Sequence, residues 1–246
     1  MKIRSREPEL IDLGSQYYTQ EEYDNCLYQI GRIGKYLGAN NAMLTHSTRI
    51  ASSLPGFASS FAGHGRVTGG NINSILDVGC GGGYFTAQLA KKFKNIQVTG
   101  IDINPDAITH SQTRNPRLNN LKFELRNTPE LNEPPKSYDI VTATLVCHHL
   151  SDEEIIDFLK RAKLVARKNI IINDLQRNRI AYFFALIIMP IFFKNRLVEN
   201  DSLLSIKKSF TYNDWIYYLY NAGIKPEDYM ISWHWPFRWI IKININ

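Results

Sequence analysis

The sequence predicts an α/β fold: a doubly wound, mostly parallel sheet of seven strands with helices on both faces. Three observations predict this class. Short β-branched runs alternate with helical segments between residues 74 and 173. A glycine-rich turn follows the first run, and two further runs follow a helix beyond residue 211. Alternation of strand and helix builds a parallel sheet through right-handed crossovers, with a ligand site at the carboxyl ends of the strands.

The part of the chain before residue 71 shows helical periodicity and contains no β-rich run. Apolar residues recur there at steps of three and four, as one face of a helix requires: Leu27, Ile30, Ile33 and Leu37. A second helix is expected over residues 41–54. The following stretch, residues 55–70, is rich in Gly, Ser and Ala and is expected to form a loop or a broken helix.

Residues 71–175 carry the alternating pattern of the sheet. The expected strands are residues 74–78, 96–101, 121–125, 139–146 and 169–173, and the expected helices are residues 84–93, 105–113 and 152–166. A further helix over residues 213–222 ends at Gly223, a residue suited to a helix C-terminus. Strands over residues 229–235 and 238–243 complete the predicted sheet.

One domain is expected to span residues 1–246, because a chain of this length with 44% hydrophobic residues can bury one core. Its predicted parts are an N-terminal helical lid (1–70), a ligand-binding core (71–175), a helical cap insertion after the fifth strand (176–210), and a C-terminal helix with two strands (211–246). The apolar segment 180–193 is shorter than the ~20 residues that cross a bilayer. It predicts a buried or interfacial helix and leaves peripheral membrane contact open.

The composition limits the expected partners, metal sites and cellular location of the protein. The 29 Lys and Arg against 23 Asp and Glu give a net charge of +6, which favours anionic partners without naming one. Basic pairs such as Lys207-Lys208 are expected on solvated faces. The three cysteines lie far apart without a CxxC pair, so neither a disulfide framework nor a metal site is predicted. The first residues contain no apolar stretch of a secretory signal, so we expect a cytoplasmic protein.

The glycine-rich turn carries the strongest functional signal. Residues 75–84 read Ile-Leu-Asp-Val-Gly-Cys-Gly-Gly-Gly-Tyr, in which a strand leads into a turn and then a helix. Glycines let the backbone approach a ligand, and the free N–H groups of the helix start can bind it. Asp77 inside the strand would repel a pyrophosphate but can attract an ammonium group. Asp102 closes the second strand, 25 residues later, where its oxygens can accept both hydroxyls of a ribose.

These segments resemble a known family. ILDVGCGGG, GIDINPDAI and YDIVTATLVCHHL, spaced over residues 75–173, resemble motifs of the class I S-adenosylmethionine-dependent methyltransferases, which have a Rossmann-like seven-stranded sheet. The resemblance implies S-adenosyl-L-methionine as the cofactor. It places these residues at the cofactor: Asp77, Gly79, Cys80, Gly81, Gly83, Asp102, Ile103 and Leu145. The family commonly has an Asp after the third strand, where this chain has Asn127, whose carbonyl oxygen can still accept from the adenine amino group.

Polar residues at the ends of the fourth and fifth strands are the candidates for acceptor chemistry. His148 and His149 follow the fourth strand, and Asp174 ends the fifth, on the ligand-binding edge of such a sheet. Methyl transfer from a sulfonium needs in-line positioning, and it needs a base only for a protonated acceptor such as a phenol. His148, His149 and Asp174 are therefore catalytic candidates. The alternative is a structural role for each, with Asp174 in a salt bridge to Arg177.

The acceptor pocket is expected to be apolar. Four residues after the fifth strand are predicted to bind the acceptor under the cap: Arg177, Tyr182, Phe184 and Leu186. A weaker resemblance, carried by residues 7–12, 173–177, 201–205 and 235–238, points to a bacterial branch of small-molecule methyltransferases linked to phenol, polyketide or quinone metabolism. It implies a small, hydrophobic, phenolic or other aromatic acceptor, with O-methylation ahead of C-methylation.

Two other functions stay open. The excess of basic residues fits a tRNA or other nucleic-acid methyltransferase. However, the fourth strand ends in Cys-His-His and lacks the Asn/Asp-Pro-Pro-aromatic motif of amino-directed base methylation, so no nucleic-acid partner is expected. The fold could instead serve as a non-catalytic interaction module that binds the cofactor. The intact glycine-rich turn argues against that function.

Overall fold

The computed structural model describes residues 1, 3–36, 43–45, 47, 72–116, 118–126 and 131–245. Seven strands form one sheet in the order β3-β2-β1-β4-β5-β7-β6. They are β1 (Ser74–Val78), β2 (Gln97–Asp102), β3 (Leu121–Leu125), β4 (Tyr138–Thr144), β5 (Ala166–Leu175), β6 (Tyr229–His234) and β7 (Arg238–Asn244). Strands β1 to β5 pair in parallel, and β7 is antiparallel to β5 and β6. The predicted α/β class and mostly parallel seven-stranded sheet are confirmed.

The described α-helices are α1 (Gln20–Tyr36), α2 (Tyr84–Lys92), α3 (Pro105–Arg114), α4 (Asp152–Val165), α5 (Arg179–Phe192), α6 (Arg196–Lys208) and α7 (Tyr212–Asn221). Short 3-10 helices cover Leu10–Leu13, Cys147–His149 and Pro226–Asp228. Side chains of Asn104, Ser151 and Thr211 cap α3, α4 and α7 by accepting from the free amides of the first turn. The predicted helix 41–54 and loop 55–70 lie largely outside the described residues.

Side chains of the central strands alternate between two apolar cores, one on each face of the sheet. In β5, Ile170 and Ile172 belong to the core that also contains Phe158 of α4 and Trp215 of α7. Ile171 lies between them in sequence and belongs to the other core. This period of two, with both faces covered by helices, explains why the strand appears in the sequence as a continuous apolar run.

Helix α1 packs against α6 and against the turn after β1. Tyr23 and Leu27 are buried in a cluster with apolar residues of α6. The buried face differs from the predicted one, because Ile30 is 38% exposed. Gly31 makes the close contact: a Cβ there would lie 2.6 Å from the ring of Tyr84, which begins α2. The sequence pattern missed this face because a glycine contributes nothing to an apolar periodicity.

Helix α5 lies beside α6 and exposes most of its apolar surface. Only Ala181 and Ala185 of this helix are buried. Its exposed large apolar side chains are Ile180, Phe183, Phe184, Leu186, Ile187, Ile188, Ile191 and Phe192. Among the residues that the structure describes, no helix is long and apolar enough to cross a membrane.

Candidate active site

The turn after β1 has a backbone that glycine adopts more readily than other residues. Gly79, Gly81 and Gly83 have φ angles of 67°, 50° and 73°. A Cβ at Gly79 would lie 2.4 Å from the side chain of Val146, and one at Gly83 would lie 2.6 Å from the ring of Phe123. A Cβ at Gly81 would meet no atom within 4 Å. The turn is therefore packed at its two ends and open at Gly81.

Asp102, at the end of β2, holds this turn in place. Its Oδ2 accepts a hydrogen bond from the Gly81 amide at 2.8 Å, and its Oδ1 accepts one from the Asn104 amide at 2.9 Å. Burial raises the pKa of Asp102, although these amides and the charge of His149 act to lower it. Each carboxylate oxygen has further acceptor capacity for a ribose hydroxyl, and the exposed Ile103 follows. The cofactor roles of Asp102 and Ile103 stay predictions.

Asp77 lies buried beneath the turn. Its Oδ2 accepts from the hydroxyl of Thr86 at 2.6 Å, and its Oδ1 accepts from the hydroxyl of Thr142 at 2.8 Å. Burial raises the pKa of Asp77 to about 6, although both hydroxyls act to lower it. The carboxylate thus ties β1 to α2 and to β4. Its predicted attraction for the methionine ammonium group stays a prediction.

Two other predicted cofactor residues fix the backbone around the turn. Leu145 follows β4 with a φ of 60°, an unfavourable region for a leucine, and its amide donates to the Asn173 carbonyl at 2.9 Å. Backbone strain of this kind concentrates at ligand-binding sites. The Cys80 amide donates to the Ile101 carbonyl at 2.9 Å, and burial raises the pKa of the Cys80 thiol. Asn127 lies outside the described residues, so its predicted adenine contact is untested.

The structure brings His148 and Asp174 together at the carboxyl ends of β4 and β5. His148 Nδ1 lies 2.7 Å from Asp174 Oδ1, and the His148 amide donates to Asp174 Oδ2 at 3.2 Å. Burial acts to raise the pKa of Asp174, but the His148 imidazole and the Leu175 amide bring it below its ordinary value. Because an ionised carboxylate only accepts, His148 carries its hydrogen on Nδ1. Asp174 therefore orients this imidazole.

His149 packs against His148, with ring centroids 4.3 Å apart. Its Nδ1 lies 2.9 Å from Oδ2 of Asp12, in the 3-10 helix near the N-terminus. Burial acts to lower the pKa of His149, but the charge of Glu9 and the hydrogen bond to Asp12 outweigh it and raise this pKa to about 9. His149 is therefore protonated at neutral pH.

Glu9 lies between the two imidazoles and the helix α6. Its Oε2 accepts from the hydroxyl of Ser205 at 3.0 Å, and its Oε1 lies 3.3 Å from Lys208 Nζ. Lys208 also lies 3.5 Å from Asp12 Oδ2 and is buried. The expectation that Lys208 belongs to a solvated face is wrong, because its ammonium group is buried beside the buried carboxylate of Glu9 and the exposed carboxylate of Asp12.

Arg4 fastens the N-terminal segment to the 3-10 helix that carries the two histidines. Its guanidinium donates to the carbonyls of Cys147, His148 and Leu150 at 3.3, 3.1 and 2.5 Å. It also bonds to Asp152 at 2.9 Å, and its Nε donates to the carbonyl of Lys208 at 2.6 Å. We refer to residues 3–13 as the N-terminal arm.

The four predicted acceptor-binding residues lie in different surroundings and do not line one pocket wall. The side chain of Arg177 is 4% exposed, lies 3.0 Å from Asp214 and donates to the Ser209 carbonyl at 2.8 Å. The alternative of an Asp174–Arg177 salt bridge is therefore wrong, since Asp174 binds His148. Tyr182 packs in a small apolar cluster with residues of α6, under the ammonium group of Lys207 at 5.2 Å from its ring. Phe184 and Leu186 are about half exposed, in place of the expected position inside a pocket wall.

Four residues of this cluster were not predicted as site residues from the sequence: Arg4, Glu9, Asp12 and Lys208. Their contacts join positions more than 130 residues apart in the chain. A local pattern of apolar spacing carries no information on such pairs. The only available signal was the resemblance carried by residues 7–12, which did not assign a role to any of them.

Comparisons with known proteins agree with this geometry. Residues 75–169 match the methyltransferase domain family. A ubiquinone biosynthesis O-methyltransferase of Hydrogenovibrio crunogenus is 32% identical over 117 residues, which cover 46% of this chain and 47% of that protein. A release factor glutamine methyltransferase of Koribacter versatilis is 34% identical over 70 residues, covering 28% of this chain and 25% of that protein. The chain thus spans half or less of the length of these curated relatives.

Solved structures share the fold at low identity. The crystal structure of human N-acetylserotonin methyltransferase in complex with S-adenosylmethionine matches with a TM-score of 0.62 and 11% identity, over 94% of this chain and 58% of that one. The sheet order and the glycine-rich turn are thus those of a methyltransferase fold. The match over residues 75–169 agrees with the predicted methyltransferase family, and the shared fold agrees with the predicted fold class.

Proposed function

We propose that this protein transfers the methyl group of S-adenosyl-L-methionine to a small, hydrophobic aromatic acceptor, at an oxygen in preference to a carbon. One observation carries the proposal. The open face of the turn at Gly81, held by Asp102, lies at the same sheet edge as a buried cluster of imidazoles and carboxylates after β4 and β5. The first feature suits the methyl donor, and the second suits an acceptor that must lose a proton.

The acid–base cluster favours an O–H acceptor. A sulfonium transfers its methyl group to a lone pair once donor and acceptor are aligned, without help from a base when that lone pair is free. A phenol has a pKa near 10, so its proton must leave during attack at neutral pH. His148, which Asp174 orients, and the neighbouring His149 can bind the hydroxyl that loses this proton. The name of the Hydrogenovibrio relative, an O-methyltransferase of ubiquinone biosynthesis, supports the same class of acceptor.

The proposed activity is tested with purified protein, labelled S-adenosylmethionine and a panel of lipophilic phenols, quinols, nucleosides and tRNA. We expect micromolar cofactor binding by calorimetry and methylation of a phenol or quinol. Methylation of tRNA alone would replace the proposal by the nucleic-acid function. Cofactor binding without transfer to any acceptor would support the non-catalytic module.

We further propose that α5 places the protein on anionic lipid surfaces, where hydrophobic acceptors partition. The exposed apolar face of α5 supports this, and so do the basic residues at its two ends, Arg179, Lys194 and Arg196. No Asp or Glu occurs between residues 175 and 198. Such a helix lies in the headgroup region with its apolar side inserted, while its basic residues attract anionic lipids.

The double variant Ile191→Ser/Phe192→Ser is expected to lose at least tenfold in binding to vesicles of phosphatidylcholine and phosphatidylglycerol. Both side chains are more than 60% exposed, and burying apolar area in the membrane yields about 25 cal/mol per Å2. The measurement is co-sedimentation with vesicles, paired with calorimetry of the cofactor, which should not change. Tyr220→Ser on α7 is the matched control, because Tyr220 is also a highly exposed large side chain but lies on another helix. Equal binding of all three proteins contradicts the membrane role.

A further inference from the structure

We propose that Glu9 is the catalytic base of this enzyme, and that His148 and His149 hold the reacting oxygen of the acceptor beside it. The inference rests on the proposed function and names the residue that accepts the proton. It concerns a residue that comes from the N-terminal arm, outside the segment that matches the methyltransferase domain family.

The spacing between the two imidazoles and the carboxylate of Glu9 carries the proposal. His148 Nε2 lies 3.8 Å from Glu9 Oε1, and His149 Nε2 lies 4.0 Å from Glu9 Oε2. The nitrogens and a carboxylate oxygen all lie within 4.8 Å of one another. These gaps are too long for direct hydrogen bonds. A single hydroxyl oxygen placed among the three atoms can lie about 2.5–3 Å from each, the range of such bonds.

Glu9 has acceptor capacity that the protein leaves unused. Its side chain is 2% exposed, and among the described residues no donor makes a hydrogen bond to Oε1. Buried carboxylate oxygens are rarely left in this state, because the loss of water costs free energy. Lys208 lies 3.3 Å away and supplies charge, but its geometry is not that of a hydrogen bond to Oε1. An acceptor hydroxyl would satisfy this oxygen.

Both imidazoles are fixed so that Nε2 faces Glu9. Asp174 holds Nδ1 of His148, and Asp12 holds Nδ1 of His149. A carboxylate that is hydrogen-bonded to Nδ1 sets the orientation of the imidazole. Because His149 is protonated at neutral pH, its Nε2–H can donate to an oxygen on which negative charge develops.

The proposed methyl transfer conserves atoms and electrons. The acceptor O–H bond breaks and its proton moves to the Glu9 carboxylate. The oxygen lone pair forms the new O–CH3 bond, and the S–CH3 bond breaks with its electron pair passing to sulfur. The products are the methyl ether, neutral S-adenosylhomocysteine and protonated Glu9. The proton then leaves to solvent, so no oxidant or additional reactant is required.

The same three groups are also of the types that bind divalent cations. Lys208 disfavours that occupant, because its ammonium group already lies 3.3 Å from Glu9 and 3.5 Å from Asp12. A second cation would be repelled at this distance in a buried site. We therefore assign the space to a hydroxyl group.

The variant Glu9→Gln tests the assignment, since Gln can still accept from Ser205. With a simple phenol at pH 7, kcat is expected to fall roughly 10³-fold, within the range for loss of a general base, while cofactor affinity is retained. Between pH 6 and 8.5 its kcat should rise about tenfold per pH unit as the phenol, of pKa near 10, ionises. An acidic nitrophenol, already ionised at pH 7, should recover most of the rate. A merely structural role would not produce this recovery.

The control is Glu7→Gln, which changes an exposed carboxylate of the same arm and should leave kcat unchanged. The pH profile is compared between variants because other titratable or charged groups surround Glu9: His148, His149, Lys208, Asp12, Asp201 and Cys26.

If Glu9→Gln methylates simple phenols at the wild-type rate, Glu9 is not the base, although the proposed function stands. Activity lost to a chelator and restored by Zn²⁺ or Mg²⁺ would assign the space to a cation and overturn the inference. A wild-type protein that methylates no small acceptor would refute the proposed function itself.

Discussion

The Gly81→Val variant is expected to bind S-adenosylmethionine more than about 100-fold more weakly, a loss of roughly 3 kcal/mol or more, while keeping the fold. Gly81 has a φ of 50°, and a Cβ built on it meets no atom within 4 Å. A valine there would occupy the space that lets a ligand approach the backbone, and its branched side chain is unfavourable at positive φ. Calorimetry measures the affinity, and circular dichroism checks the fold.

Gly223→Val is the matched control for backbone strain. Gly223 follows α7, has a φ of 68°, and a Cβ built there also meets no atom within 4 Å. The Gly223→Val variant should therefore have a similar backbone strain, of order 1–3 kcal/mol, and should bind the cofactor as the wild type does. If Gly81→Val binds as tightly as Gly223→Val, the turn does not contact the methyl donor and the cofactor site lies elsewhere.

The Arg4→Ala variant is expected to lower the free energy of unfolding by about 2–3 kcal/mol, because hydrogen bonds to a charged group contribute about 1.5–3 kcal/mol. Three carbonyls of the segment around the histidines would lose their donor, and Asp152 would lose an ion-pair partner. Detachment of the arm would also remove Glu9 from the imidazoles. We therefore expect acceptor turnover to fall at least 100-fold, while cofactor affinity changes little because the predicted cofactor residues lie in the core.

Arg6→Ala is the control for this variant, because Arg6 is 88% exposed and lies 3.9 Å from the same Asp152. Exposed pairs of this kind contribute about 0–1 kcal/mol, so its stability and turnover should stay close to wild type. Urea denaturation gives the unfolding free energies. Equal stability of Arg4→Ala and Arg6→Ala would show that the arm is not fastened by the guanidinium.

Much of the fold could be predicted from the sequence because its signals are local. Elements of the core lie within two residues of their predicted bounds, apart from β5, which begins three residues earlier at Ala166. Caps such as Asn104 and Ser151 mark helix starts, and β-branched runs mark buried strands. The turn at Gly81 was predictable for the same reason, since the strand, the glycines and the helix follow one another directly.

The acceptor side was less predictable, because its contacts are not local. His148 and Asp174 were expected at the correct sheet edge, and parallel pairing of β4 with β5 brings them together. Arg177 was expected beside Asp174 because the two are close in sequence, but the chain turns after β5 and Arg177 meets Asp214 of α7. The exposure of α5 could not be deduced either, since an apolar segment has the same sequence pattern inside a core and at a surface.

The origin of Glu9 in the arm has a consequence for how such an enzyme can change during evolution. The groups predicted to contact the methyl donor come mainly from β1, β2 and the turn between β1 and α2, all inside residues 75–169. Glu9, Asp12, Ser205 and Lys208 come from outside that segment. Replacement of the arm and α6 would exchange the chemistry offered to the acceptor while the half that binds the methyl donor stayed intact. New acceptors can thus be recruited by changing segments that do not belong to the sheet.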